Sequence, residues 1–93
     1  MSSLTPDQVA LQLDGLNGWE LVGNSIGKTF AFDDFGSAMA FITKVAFHCA
    51  ELEHYPHLSN HHNLVSVQIG ETDQSAVKGR DIQLAKRIEA CHA

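Results

Sequence analysis

The sequence predicts an α+β fold in which a single-layer, four-stranded antiparallel sheet carries three helices on one face. The periodic segments follow the order helix, hairpin, long helix, strand pair, helix, which suits helices gathered on one side of a small antiparallel sheet. The 93 residues, 44% of them hydrophobic, suffice for one modest core rather than two, so residues 1–93 read as one domain. No internal repeat, linker or low-complexity stretch interrupts that order.

The first helix opens at Thr5-Pro6-Asp7-Gln8. Thr5 is the N-cap, Pro6 occupies the first turn, Gln8 completes a capping box, and Leu4 is placed to staple against Val9. Val9, Leu13 and Leu16 then mark one face until Gly15 and Gly18 end the run. Residues 19–22 and 26–32 are β-type runs on either side of Gly23-Asn24-Ser25, which is hairpin chemistry. In the second run Ile26, Phe30 and Phe32 share one parity with Lys28, while Gly27, Thr29 and Ala31 share the other, so one face should be buried.

Asp33-Asp34 caps a long second helix. Its main apolar stripe is Phe35, Met39, Ile42, Ala46 and Cys49, with Phe41, Val45, His48 and Leu52 as a second line beside it. That surface is wider than one sheet face needs. It implies that the helix also meets a neighbouring subunit, giving a dimer or tetramer. A domain this short also gains stability by self-association.

Pro56 cannot donate a helical hydrogen bond and biases Tyr55 away from helical geometry, so the helix should finish near His54. Residues 58–62 and 64–69 form the next strand pair, the latter with Val65, Val67 and Ile69 on one face. Residues 70–79 read as a long loop, and residues 80–91 as a last helix with Ile82, Ala85 and Ile88 inward.

The formal charge is −5 and the six Lys and Arg form no basic run, which argues against gripping nucleic-acid phosphates. Cys49 and Cys91 fall in helical patterns rather than in a paired metal or redox spacing, and read as reduced thiols. The N-terminal residues lack a basic-then-apolar leader, and no stretch approaches the ~20 apolar residues of a membrane span. The cytoplasm is the expected location, with no membrane partner.

Five of the six histidines, His48, His54, His57, His61 and His62, lie within fifteen residues. His54-x-x-His57 and His57-x₃-His61 have ligand-like spacings. Pro56 breaks the helix between them, however, and no Cys or carboxylate pattern completes a metal signature, so solvated or strand-surface histidines are the simpler reading.

Three stretches resemble the pterin-4a-carbinolamine dehydratases: Phe32-Asp33-Asp34-Phe35 entering the long helix, Ala50-Glu51-Leu52-Glu53-His54-Tyr55-Pro56 leaving it, and Gly79-Arg80-Asp81-Ile82-Gln83-Leu84-Ala85 opening the last helix. Their order and separations agree with the family over nearly the whole chain. The resemblance implies loss of water from a 4a-hydroxy-tetrahydropterin, with no metal or other cofactor. His54 would be the principal acid/base and Asp81 would help to bind the pterin. Asp81 also suits helix capping, since a carboxylate in a first turn meets the helix dipole favourably, although Lys78 stands where a hydroxyl cap is usual. Arg80 could pair with Asp81 or with a partner surface.

Four positions depart from the family pattern. Tyr55 stands where the second His is usual, Thr72 where the post-strand His is usual, Ala50 where an acid precedes the first His, and Leu58 where an aromatic follows the Pro. The elimination needs one group to take a ring-nitrogen proton and another to protonate the departing hydroxyl, which suits imidazoles because they titrate near neutrality. Neither a phenol with pKa near ~10 nor a Thr hydroxyl replaces imidazole at equal efficiency. His61 or His62 could compensate for one lost imidazole, since adjacent strand residues point to opposite faces.

Two functions therefore follow from the resemblance. One is authentic dehydration. The other, favoured by the four departures, is a non-catalytic relative that keeps the scaffold and binds a protein. Among degenerate relatives of the family the nearest analogue is the RuBisCO assembly factor of α-carboxysomes, which makes RuBisCO the expected partner.

Overall fold

The computed structural model describes residues 6–13, 15–22, 25–70, 77 and 79–92. The chain runs α1 (Pro6–Leu13), β1 (Glu20–Val22), β2 (Ser25–Ala31), α2 (Phe35–Leu52), β3 (His57–His61), β4 (Leu64–Ile69) and α3 (Gly79–His92). The four strands form one antiparallel sheet in the order β1-β2-β4-β3, with the three helices. Thr5 and Leu4 of the expected capping box, the side chain of Val9, Gly23-Asn24 of the first turn and most of the 70–79 loop lie outside the described residues.

The period-2 reading holds for the central strands. Ile26 and Phe30 on β2 and Val65, Val67 and Ile69 on β4 are buried. β2 starts at Ser25 and stops at Ala31, so Phe32 follows the strand and packs partly buried against the core. Lys28 shares the inward parity, but its long stem carries the ammonium to the rim. There Nζ donates to the Asn17 carbonyl and to Glu89 Oε1, each at 2.7 Å, and lies 4.6 Å from the Phe30 ring centroid. Gly18, at φ 84°, leaves room for this stem, because a Cβ there would fall 3.0 Å from Lys28 Cε. Trp19, just ahead of β1, donates its indole N–H to the same Glu89 oxygen at 2.8 Å. One carboxylate thus joins α3 to the β1–β2 corner.

Of the Asp33-Asp34 pair, Asp34 is the N-cap of α2: its Oδ1 accepts the Ser37 N–H at 2.7 Å. The inward face of the helix corrects the sequence reading. Ala38, Phe41, Val45 and Cys49 are buried, whereas of the expected main stripe Phe35, Met39 and Ala46 are exposed, Ile42 is half-buried and only Cys49 is covered. Both lines have helical spacing, so periodicity alone does not choose between them. Docking against β4 and α3 does, with the Phe41 ring 4.8 Å from Phe30 and 5.0 Å from Phe32.

The end of α2 is also corrected. The helix stops at Leu52, because Glu53 turns into the left-handed region at φ 52°, ψ 42°. Glu53 N–H then donates to the Ala50 carbonyl at 3.3 Å and His54 N–H to the Cys49 carbonyl at 3.1 Å, the paired bonds of a Schellman reversal. Pro56 prevents the helix from resuming. β3 lies one residue earlier than expected, with His62 in the turn at φ 55°. α3 extends one residue beyond each expected end, and Asp81 and Leu84 join Ile82, Ala85 and Ile88 as buried residues. No helix among the described residues is long and apolar enough to cross a membrane.

Candidate functional site

The Schellman reversal aims the backbone after α2 toward the start of α3. Arg87, midway along α3, reaches back to Glu51 Oε1 at 2.8 Å and His48 Nδ1 at 3.3 Å. Nearer the start of α3, Asp81 Oδ1 hydrogen-bonds His54 Nε2. Both side chains are sheltered, at 13% exposure for His54 and 4% for Asp81.

Asp81 is therefore not a solvated helix cap. A buried carboxylate is costly unless hydrogen-bonded, and here the imidazole bonds it while the N-terminal end of α3 favours its charge. Arg80, beside it in sequence, is exposed. An ionised carboxylate only accepts hydrogen bonds, so with Asp81 ionised this bond is donated by His54 Nε2–H and holds the ring in one orientation. An imidazole oriented in this way can take or give a proton at Nδ1.

Of the other expected positions, two are open to solvent. Tyr55 is 70% exposed, and Leu58 is also exposed. Thr72 lies outside the described residues. Ala50 supplies no carboxylate, and its neighbour Glu51 is committed to Arg87, whose hydrogen bond and charge hold the Glu51 carboxyl below its ordinary range.

Of the two candidate replacements, His62 sits near the start of α2. His62 bonds Asn63 Oδ1 at 3.2 Å and contributes to the field on Asp34, whose carboxyl is held low chiefly by the Ser37 N–H at the start of α2. His54 follows the other end of that 18-residue helix, about 27 Å away at 1.5 Å per residue. His57 and His61 occupy opposite ends of a five-residue strand, roughly 13 Å apart at strand rise. They cannot chelate one ion within a chain. Among the described residues no three His, Cys, Asp or Glu converge as metal ligands. Cys49 and Cys91 are free, and burial pushes both thiols above their ordinary range.

An open depression of about 490 Å³ lies on the sheet, lined in part by Glu20, Gly27, His57, Ser59, Ser66 and Gln68, but neither His54 nor Asp81 borders it. The sequence reading named His54 and Asp81 with separate roles. Their direct contact joins positions 27 residues apart and left no spacing signal, while the Trp19–Glu89–Lys28 junction was missed altogether.

This scaffold matches the family described as pterin 4 alpha carbinolamine dehydratase over residues 2–91, and the chain belongs to that family. A protein of Sulfurisphaera tokodaii named "Putative pterin-4-alpha-carbinolamine dehydratase" is 36% identical over 89 residues, covering 96% of each chain. One of the same name from Paraburkholderia xenovorans is 33% identical over 92 residues, covering 97% of this chain and 96% of that one. Among solved structures, a transcriptional coactivator/pterin dehydratase from Brucella melitensis superposes with a TM-score of 0.92 at 29% identity, over 99% of this chain and 100% of the other. A pterin dehydratase-like protein described as a RuBisCO assembly factor in the alpha-carboxysome superposes with a TM-score of 0.68 at 17% identity, over 81% of this chain and 87% of that one. At that identity the likeness speaks for the fold alone.

Proposed function

We propose that this chain is a non-catalytic member of the pterin dehydratase family that acts in the cytoplasm through protein association, with RuBisCO during its assembly as the partner. The observation that carries this reading is the uncovered apolar side of α2, where Phe35 is 49%, Met39 39% and Phe47 74% exposed. A contiguous exposed apolar surface of that kind marks an interaction site. Self-association over it to a dimer or tetramer would repeat any binding patch by symmetry, so a symmetric partner is held at several points at once. The pocket side supports the same reading: one oriented imidazole remains, whereas the elimination uses two proton-transfer groups. Fold likeness to the RuBisCO assembly factor supports the partner at the level of scaffold.

The test is co-expression of RuBisCO subunits with and without this protein, measuring soluble assembled enzyme and co-purification. An increased yield that survives Tyr55→Phe but not Phe47→Glu is expected. An unchanged yield without co-purification sinks the RuBisCO reading.

Dehydration of a 4a-hydroxy-tetrahydropterin is the second reading, favoured by the sheltered His54–Asp81 pair. With a second imidazole missing at Tyr55, turnover should be at least about 10²-fold below that of an intact family member. A turnover assay at full family rate would restore this reading. Tyr55→His combined with Thr72→His should raise any residual rate.

A further inference from the structure

The face of the sheet turned away from the helices carries a row of residues that crosses all four strands. Glu20 on β1 pairs with Gly27 on β2, Gly27 with Gln68 on β4, and Gln68 with His57 on β3. Directly paired residues share a face. This face is opposite to that of the buried Ile26, Val67 and Ile69, because neighbours along a strand alternate. Gly27 interrupts the row with a position that has no side chain. A Cβ there would stand 3.1 Å from the Val67 carbonyl oxygen, so the close approach of β2 and β4 keeps the position bare. Glu20 and Gln68 lie two strand spacings, roughly 9.5 Å, apart. They form opposite walls of the depression of about 490 Å³, with Gly27 as its floor.

The walls offer mainly hydrogen-bond acceptors. Glu20 is exposed, and among the described residues no cation pairs with it. Lys28, close by in the β1–β2 corner, is held toward the other face by Glu89 and the Asn17 carbonyl. Gln68 commits its amide nitrogen to Ser25 Oγ at 2.7 Å, which leaves the carbonyl oxygen as the end it presents. The Thr29 and Ser66 hydroxyls bond each other at 3.1 Å, and whichever donates, both oxygens keep an acceptor lone pair. A carboxylate, an amide oxygen and hydroxyl oxygens around a bare floor suit a ligand that is positively charged, thin, and supplied with donors in several directions.

A guanidinium has all three properties: it is planar, always charged, and carries five N–H donors with no acceptor. An ammonium satisfies the charge of Glu20 but is a point charge that does not span the floor to Gln68. We propose that this hollow binds a guanidinium group, with Glu20 taking one edge of it in paired hydrogen bonds, Gln68 Oε1 accepting from the opposite side, and the Thr29 and Ser66 hydroxyls accepting between them. The volume lies within the range of small-ligand sites and accommodates the group together with the chain that bears it. A free guanidino compound and an arginine side chain of a peptide both supply this chemistry. The site uses neither the His54–Asp81 pair nor the bare side of α2, so it stands whichever of the two functions holds.

Amide NMR spectra of the isotope-labelled protein, titrated to millimolar concentrations with L-arginine and separately with a blocked glycine-arginine-glycine tripeptide, test the site. Saturable shifts centred on Gly27, Ser66 and Gln68 are expected, and the probe that produces them tells the two sources apart. The corresponding lysine tripeptide should bind at least about tenfold more weakly, because it cannot form the bidentate contact. Glu20→Gln should weaken binding by at least about tenfold through loss of the charge-assisted pair. Thr29→Lys should abolish it by placing an ammonium of the chain itself in the hollow. Both positions are exposed, and unchanged shifts elsewhere in the spectrum verify that each variant is folded. No saturable shift with either arginine probe, equal affinity for the lysine tripeptide, or full binding by Glu20→Gln or Thr29→Lys would each overturn the proposal.

Discussion

The two sides of α2 are almost equally apolar, yet one is sealed and the other is bare. Ala38, Phe41, Val45 and Cys49 lie within the core, while Phe35, Met39 and Phe47 look outward on the same helix. An 18-residue helix that only capped a sheet would need one stripe of about 100°. The difference teaches that the covered side holds the domain together and the bare side is available for association. The energetic consequences of mutation should divide along the same line.

The sharpest contrast is between two phenylalanines. Phe41→Ala removes a buried ring that packs against Phe30 and Phe32, and should cost about 3–5 kcal/mol in urea denaturation. A domain of this size has little more than that to lose. At the closed end of the same side, Asp81→Ala leaves His54 without its partner and should cost roughly 1–3 kcal/mol. A double-mutant cycle with His54→Ala should show the two effects to be non-additive. Additivity would mean that the pair is not coupled.

The far end of α3 responds to acid. Burial opposes ionisation of Glu89, but hydrogen bonds from Lys28 and Trp19 outweigh it and hold the carboxyl below its ordinary range. A carboxylate with a folded pKa below its unfolded value contributes stability above the unfolded pKa and loses it as pH falls through the folded one. Wild type should therefore lose stability on acidification below the ordinary carboxylate range, and Glu89→Gln should be less stable near neutrality with a flatter acid limb. Parallel limbs would remove Glu89 from the account.

Smaller effects sharpen the boundary between the two sides. Glu53→Gly at φ 52° should stabilise the fold by about 1 kcal/mol, since Gly adopts that conformation without the Cβ clash. A loss would show that the Glu53 side chain contributes something beyond the turn. Smallest in the folding equilibrium is Phe47→Glu, at 74% exposure. It should stay within about 0.5 kcal/mol of wild type under conditions that keep the protein monomeric, while light scattering shows the oligomer lost. An unchanged mass would leave the bare side of α2 without its partner.

Elements with one polar face were legible from the chain alone. Val65, Val67 and Ile69 alternate with polar residues, so β4 could be placed residue by residue. Ile82, Ala85 and Ile88 did the same for α3. α2 was legible as a helix and as an element too apolar for one sheet face, but not as to which stripe turns inward, because both obey helical spacing. Its end was anticipated from Pro56 and is set instead by Glu53, a residue with no special preference for the left-handed region; only the backbone path shows that turn. At the site, residue types carried the family resemblance and its departures. They could not show that His54 and Asp81 touch, or that His62 sits beside the start of α2 rather than its end.

The element order, the antiparallel sheet and the inward faces of β2, β4 and α3 follow from the residues alone. Local periodicity and residue chemistry are enough for these, since each depends on neighbours a few positions away. Only the tertiary structure decided which side of α2 is bare, which carboxylate holds His54, that Glu89 gathers Trp19 and Lys28, and that β3 is the exposed edge. Those features join residues tens of positions apart, such as Trp19 with Glu89, and are fixed by the packing of whole elements rather than by the pattern within any one of them.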